Sequence, residues 1–293
     1  MTAKAILAID LGGSKLLLAL VDGATIIDQI EAATDRAAGP RAWVSQMAHL
    51  ARHWAGQFDR AGITVTGLIN NNSWSALNPD TLKIPGKFAL ARAAQSALAV
   101  PVTLCNDAQA AAWGEYSHGA AQGKNMVFLT ISTGVGGGIV LNGHLLQGGR
   151  GVAGHFGQIF PLPDGPEQRF ETVASGLWIA AQGEKIGLPR DARAVFAAAA
   201  AGNSAAGDIV QTSAQRMARL CHHLQLILDP DITVIGGGVG LAPGYIDRMT
   251  ASSAHLPSDV RPILVRAALG KYAGVIGVAD LSTRNQPNEK ETT

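Results

Sequence analysis

The chain has 293 residues, a formal net charge of +1 and no run of lysine or arginine, so the charge pattern of a nucleic-acid-binding surface is absent. Apolar residues make up 47% of the chain and charged residues 15%, with 35 glycines, which is typical of a compact α/β protein with many tight turns. No apolar run approaches the ~20 residues of a membrane span, and the two cysteines favour a reducing compartment, so we expect a cytoplasmic protein with no signal peptide and no N-terminal DNA-binding domain.

The first predicted element is a β-hairpin with a glycine turn, formed by apolar strands over residues 6–11 and 16–20. A hairpin tip without side chains lets backbone N–H groups approach a phosphate closely. Asp10 is a candidate for holding Mg²⁺ directly or through water, although the alternative is a carboxylate that only hydrogen-bonds its own turn. The candidate nucleotide-binding residues here are Asp10, Gly12, Gly13, Ser14 and Lys15.

The middle of the first half alternates helix and strand. A helix is predicted over 40–58, a strand over 63–69, and a second strand over 100–104 that leads to Asn106 and Asp107 at the start of the next helix. Open α/β sheets place ligand-binding groups at the carboxyl ends of their strands. Asp107 is therefore the candidate general base for a hydroxyl proton, and the alternative is a simple helix N-cap.

A second glycine-rich hairpin is predicted from strands over 127–131 and 139–141. It offers a hydroxyl and successive amides to phosphate oxygens, and its candidate residues are Thr133, Gly134, Gly136 and Gly137. A third cluster follows a strand over 232–235 and suits a nucleoside packed on bare backbone, with candidates Gly237, Gly238 and Gly240. Two phosphate hairpins predict a nucleotide held between two related lobes.

The rest of the second half carries candidate ligand-binding side chains. His155 lies between glycines in a loop and is a candidate for binding a polar ligand. Glu171 starts a predicted helix over 171–184, where it could also simply complement the helix dipole. No Cys-x-x-Cys motif is present, so a structural zinc site lacks its usual ligands and we expect none.

Together these motifs resemble the ROK family of sugar kinases, in the actin/hexokinase/Hsp70 superfamily, over nearly the whole chain. The resemblance implies an α/β, two-lobed actin/hexokinase-like (ribonuclease H-like) fold with a nucleotide cleft between the lobes, and a homodimer. We expect a smaller N-terminal lobe of residues 1–107 plus about 273–283, a larger C-terminal lobe of 108–272, and a disordered tail of 284–293.

Within the family, the segments around Asn78, Asn106 and His155 resemble bacterial N-acetylmannosamine kinases. This resemblance implies ATP-dependent phosphorylation of the sugar 6-hydroxyl with ATP and Mg²⁺, with Asp107 as the base. It also implies sugar contacts from Asn78, Asn106, Asp107, His155 and Glu171. The alternatives are a kinase for glucose, N-acetylglucosamine or another hexose, a non-catalytic sugar sensor, and an actin-like ATPase.

Two departures from the family pattern lie on the sugar side. The family usually binds zinc through a histidine and a cysteine cluster, whereas this chain has Gln158 at the histidine position and no cysteine over 161–170. We therefore expect a zinc-free member whose sugar loop is held by other packing. The loop Asn70–Asn72 also differs from the expected Arg-Asp-Gly, which leaves the identity of the sugar open.

Overall fold

The computed structural model describes residues 4–70, 72–77, 82, 84, 86–160 and 168–284. These residues form two compact units, which are described here one at a time. The first unit comprises the described residues of Met1–His118, Gln147–Val152 and Tyr272–Thr293, and the second those of Gly119–Leu146 and Ala153–Lys271. In the described parts of the chain, no helix has the length and apolar character needed to cross a membrane.

Each unit contains a five-stranded sheet. The strands in chain order are β1 (Ala5–Leu11), β2 (Lys15–Asp22), β3 (Thr25–Ala33), β4 (Phe58–Val65), β5 (Leu68–Asn70), β6 (Ser73–Ser75), β7 (Val102–Asn106), β8 (Met126–Ile131), β9 (Val135–Leu141), β10 (His144–Leu145), β11 (Ile232–Gly236) and β12 (Leu264–Arg266). The first sheet has the order β3-β2-β1-β4-β7 and the second has the order β10-β9-β8-β11-β12. In both, the first strands form antiparallel hairpins and the later strands join parallel, so the two sheets share one topology.

Helices cover these sheets. In chain order they are α1 (Pro40–Ala51), α2 (Leu90–Leu98), α3 (Asp107–Ser117), α4 (Phe170–Ala174), α5 (Gly176–Lys185), α6 (Ala192–Ala200), α7 (Ser204–Leu228), α8 (Gly237–Gly240), α9 (Tyr245–Ser252) and α10 (Ala273–Arg284). The core of the first unit joins β1 and β2 to Trp43 of α1 and to Trp54 just after that helix, and the core of the second joins β8 and β11 to α7. Apolar side chains that recur at helical spacing on α1 and α7 account for both contacts.

Two predicted helices differ in the structure. The helix predicted over 40–58 ends at Ala51, followed by a short 3₁₀ turn, and Phe58 already begins β4. Gly56 has a φ of 80°, a left-handed conformation that ends helical structure. The helix predicted over 171–184 is two helices, because Ser175 has extended backbone and its side chain accepts a hydrogen bond from the Trp178 N–H at the start of α5.

Helices α3 and α10 pack with their backbones in contact. A Cβ atom added at Gly277 would lie 1.9 Å from the Ala110 carbonyl oxygen, and one at Gly114 would lie 2.3 Å from that of Ala273. Only glycine permits so close an approach at these two positions. This packing places all of α3 in the first unit, which extends to His118, beyond the expected boundary at residue 107.

Candidate active site

The first hairpin places a carboxylate at the end of a buried strand. Asp10 is the next-to-last residue of β1, and the turn over residues 12–14 closes with a hydrogen bond from the Gly12 N–H to the Lys15 carbonyl oxygen (2.9 Å). Thr64 lies opposite Asp10 in the parallel register of β1 and β4, and its hydroxyl donates to Asp10 Oδ1 at 2.9 Å. Burial raises the pKa of Asp10, and the hydrogen bond from Thr64 opposes that rise.

Asp107 is the first residue of α3, directly after β7. The N-cap of this helix is Asn106, whose Oδ1 accepts from the N–H groups of Ala108 (3.0 Å) and Gln109 (3.1 Å). Asn106 Nδ2 also donates to the Gly67 carbonyl oxygen at 3.0 Å. The alternative that Asp107 is the helix cap is therefore wrong: the neighbouring asparagine fills that role, and both ends of its amide are engaged.

The two carboxyl groups of the first unit influence each other. The pKa of Asp107 is raised to about 7, first by burial and then by the nearby negative charge of Asp10. Burial and the charge of Asp107 together raise the pKa of the Cys105 thiol to about 12, so this buried cysteine stays protonated. A carboxyl group with a pKa near neutrality is matched to general base chemistry at physiological pH.

Asp10, the carboxylate whose charge acts on Asp107, also fits a divalent cation of the magnesium kind. Mg²⁺ in phosphoryl-transfer sites is held by one or two carboxylates together with substrate phosphates, and a cation relieves the repulsion that raises the pKa of Asp107. No group of three or more His, Cys, Asp or Glu side chains that could hold a metal ion occurs in the part of the chain that the structure describes.

The first hairpin makes further contacts with side chains. The Arg36 side chain donates from Nε to the Gly13 carbonyl oxygen, and the Thr34 N–H donates to the carbonyl oxygen of Ser14 (3.1 Å). Sequence reasoning missed both Arg36 and Thr64, because their positions depend on strand register and on the path of the chain after β3. Lys15 is mainly exposed, and its ammonium pairs with Glu31 on β3 at 3.0 Å.

In the second unit the turn of the second hairpin is shorter than the sequence predicts. It spans residues 132–134 and closes with a hydrogen bond from the Ser132 N–H to the Gly134 carbonyl oxygen (2.9 Å). Gly136 and Gly137 lie in β9, paired with Thr130 and Leu129, so the prediction that the strand starts at residue 139 is wrong. A Cβ at Gly137 would lie 2.5 Å from the ring of Phe156, so this glycine makes room for a buried aromatic side chain.

The loop that carries His155 rests on β9. A Cβ at Gly154 would lie 2.6 Å from the Gly137 carbonyl oxygen, and one at Gly157 would lie 2.2 Å from that of Val135. His155 is partly buried and directly precedes the 3₁₀ turn Phe156–Gln158. The loop is therefore held to the strand by backbone contacts that only glycines allow.

Glu171 lies beside the second hairpin. It is the second residue of α4, and its Oε2 atom lies 3.4 Å from the position of a Cβ on Gly134. Gln158 Nε2 donates to Glu171 Oε1 at 2.8 Å. The structure thus brings together Glu171, Gln158 and the turn of the second hairpin.

The third glycine cluster forms the turn from β11 into the short helix α8. Gly237 has a φ of 82°, and a Cβ there would lie 2.4 Å from the Ile131 carbonyl oxygen, whereas a Cβ at Gly238 would meet open space. Gly240 packs on Ile235. Asn78 lies outside the described residues.

The fold and these sites define a class of protein. The ROK family model matches residues 6–285, and the chain belongs to the ROK family. The chain is 30% identical to the solved structure of a ROK hexokinase from Thermus thermophilus, with a TM-score of 0.82, covering 96% of this chain and 100% of that one. This similarity confirms the predicted α/β fold of the actin/hexokinase-like kind.

Two curated relatives are more similar in sequence to this chain than the hexokinase structure is. The chain is 47% identical over 277 residues to a protein named bifunctional enzyme NanE/NanK from Brucella melitensis, covering 94% of this chain and 54% of that protein. It therefore spans about half the length of that relative. It is 38% identical over 280 residues to a protein named N-acetylmannosamine kinase from Vibrio cholerae, covering 93% of this chain and 97% of that one. The predicted resemblance to the family is confirmed.

Proposed function

We propose that this protein is an ATP-dependent sugar kinase that transfers the terminal phosphoryl group of ATP to a hexose hydroxyl. The observation that carries the proposal is the pair of carboxyl groups in the first unit, with Asp107 at the start of α3 and a pKa of about 7 beside Asp10. Family membership supports the same reaction, since the Vibrio cholerae relative is named a kinase. A positioned base and a charge-neutralising phosphate site are what phosphoryl transfer requires.

In this reaction Asp107 accepts the proton of the attacking sugar hydroxyl. Its carboxylate is held by the first turn of α3, which Asn106 caps, so the base is fixed before substrate arrives. The turns of both hairpins, with Thr133 and Gly134 in the second, offer backbone N–H groups to phosphate oxygens. The cluster at Gly237 and Gly238 suits the nucleoside, because the space beside Gly238, where a Cβ would meet no other atom, is left open to a ligand.

Asp10 is the residue that would hold Mg²⁺, directly or through water, which leaves the Asp107 carboxylate to act as the base. When bound, the cation neutralises charge on the phosphates of ATP during transfer. Burial raises the pKa of both carboxyl groups, and the charge of Asp10 raises that of Asp107 further; a cation at Asp10 would favour the charged form of each.

The proposed sugar is N-acetylmannosamine, phosphorylated at its 6-hydroxyl, with Asn78, Asn106, His155 and Glu171 as candidate sugar contacts. The name of the Vibrio cholerae relative supports this choice. The solved Thermus hexokinase supports the alternative of glucose, N-acetylglucosamine or another hexose. A homodimer remains part of the proposal.

The test of the reaction is the variant Asp107→Asn, assayed with ATP, Mg²⁺ and N-acetylmannosamine. Loss of the base is expected to lower kcat by about 10²–10⁴-fold while sugar binding, measured by calorimetry, stays within a few-fold. Asp22→Asn, at an exposed strand end in the same unit, is the matched control and should leave kcat unchanged. Near-normal turnover by Asp107→Asn would overturn the role assigned to this carboxyl group.

The identity of the sugar is tested separately with the wild-type protein. We expect kcat/KM for N-acetylmannosamine to exceed that for glucose and for N-acetylglucosamine in a coupled assay over a hexose panel. A preference for glucose would support the hexokinase alternative and leave the proposed chemistry in place.

A further inference from the structure

The hydrogen bond between the side chains of Gln158 and Glu171 has no role in the proposed reaction as described above. Gln158 ends the short 3₁₀ turn that follows His155, and Glu171 lies in α4, so the bond joins two residues that are 13 positions apart in the chain. The hydrogen bond is 2.8 Å long and partly buried. It is therefore well placed to fix the orientation of one of these side chains.

A structural zinc ion does not fit this region of the chain. Such sites need four cysteine or histidine ligands around one ion. The whole sequence has only two cysteines, and these lie buried in β7 and in α7, far along the chain from the loop. Three residues after His155 the chain has Gln158, whose amide donates to the Glu171 carboxylate.

The hydrogen bond fixes the orientation of the Glu171 carboxyl group. A hydrogen bond from an amide to a carboxylate is charge-assisted and directional, so it restricts rotation of the carboxyl group. With Oε1 engaged by Gln158, Oε2 is the oxygen that lies toward Gly134 in the turn of the second hairpin. The backbone at Gly157 also packs against the Glu171 Cβ, with 3.3 Å between that atom and an added Cβ.

We propose that Gln158 is a positioning residue that fixes the Glu171 carboxylate beside the second hairpin, in a loop that binds no zinc. Its amide couples the His155 loop to α4, while Gly154 and Gly157 hold the same loop on β9. The kinetic part of this inference rests on the proposed sugar kinase activity, whereas the metal and stability parts do not.

The kinetic test compares Gln158→Ala, Gln158→Glu and the control Gln182→Glu over a pH series, each as a ratio to wild type. Gln158→Ala removes the donor and should raise the sugar KM about 10-fold at every pH, with a small change in kcat. Gln158→Glu sets two carboxylates against each other and should raise KM more at high pH. At low pH a shared proton restores the bond, so its KM ratio should fall toward 1.

Gln182→Glu, on α5 in the same unit, should leave the KM ratio near 1 throughout. If Gln158→Glu and Gln158→Ala raise KM equally with no dependence on pH, Gln158 only fills space and the positioning role is wrong.

Three further measurements decide the inference without any kinase activity. Elemental analysis of the purified wild-type protein should find substoichiometric zinc, and a chelator should leave the thermal midpoint unchanged. A double-mutant cycle of Gln158→Ala and Glu171→Ala should show a coupling of about fivefold in the unfolding equilibrium constant. One zinc per chain, or strict additivity in the cycle, would overturn the inference, whereas a wild-type protein that phosphorylates no sugar would overturn only the proposed function.

Discussion

The hairpin strand β2 of the first unit and its counterpart β9 of the second occupy the same place in sheets of the same order, yet their sequences differ sharply. In β2 leucines fill the core, and Leu18 pairs with Ile9, whereas in β9 Gly137 occupies the equivalent place opposite Leu129. The absent side chain at Gly137 leaves space for Phe156 and for the loop that carries His155. The absence of a side chain at Gly137 therefore allows the loop that carries His155 to pack on β9, apart from any contact with a phosphate.

The strands before the two turns differ in charge as well. Asp10 pairs with Leu17 near the end of β1, and Thr130 holds the matching place opposite Gly136 near the end of β8. The neighbours across the parallel ladder are Thr64 for Asp10 and Gly236 for Thr130. One topology thus carries acid–base groups in the first unit and bare backbone in the second.

The largest expected effect is a difference in kcat between variants at the matching positions Asp10 and Thr130. Asp10→Asn should lower kcat by about 10²-fold or more, because the carboxylate proposed to hold Mg²⁺ loses its charge. Thr130→Val should change kcat by less than about threefold, because no acid–base role is assigned to that hydroxyl. Steady-state kinetics with ATP and N-acetylmannosamine measure both. Equal losses in the two variants would contradict the division of chemistry between the units.

The next effect concerns packing in the second unit. Gly137→Ala should lower the free energy of unfolding by about 3 kcal/mol, because the new methyl group would overlap the Phe156 ring and the Phe128 carbonyl oxygen. Gly238→Ala is the matched control, since its Cβ would meet open space. Urea denaturation of both variants checks the difference. A stable Gly137→Ala protein would mean that the loop is not fixed by this contact.

Much of this arrangement could be predicted from the sequence, and the exceptions have physical causes. Alternating runs of apolar residues and glycines located the hairpins, because strands and tight turns have strong local signals. The predicted end of α1 was wrong because apolar residues continue at helical spacing to Phe58, and this pattern outweighed the single glycine at position 56 that interrupts the helix. The bond from Thr64 to Asp10 depends on the register of β1 and β4, which no local pattern specifies.

A smaller effect is expected at the helix caps of the two units. Asn106→Ala and Asn203→Ala each remove a cap, of α3 and of α7, and should each cost about 1–2 kcal/mol in the free energy of unfolding. Only Asn106→Ala should also lower kcat, because the first turn of α3 carries Asp107. Denaturation and steady-state kinetics on the pair measure this. A similar loss of kcat in Asn203→Ala would show that lost stability, not misplacement of the base, lowers activity.

The last expected effect is on the pH dependence of stability. The pKa of Asp107 is about 7 in the folded protein and 3.8 ordinarily. Between these two pH values the folded state therefore holds a proton that the unfolded state has lost. Its contribution to stability is present at low pH and is lost as the pH rises toward 7. Asp107→Asn should therefore gain about 2–3 kcal/mol of stability over wild type as the pH rises from ~5 to ~8. A difference that is constant across pH would contradict the raised pKa.

The most direct measurement is an NMR titration of the Asp107 carboxyl carbon in the ligand-free protein, in wild type and in Asp10→Asn. We expect a midpoint near pH 7 in wild type and a lower midpoint in Asp10→Asn, because one of the two causes of the raised pKa has been removed. Titration near the ordinary value of 3.8 in both proteins would contradict the paired-carboxyl site on which the proposed reaction depends.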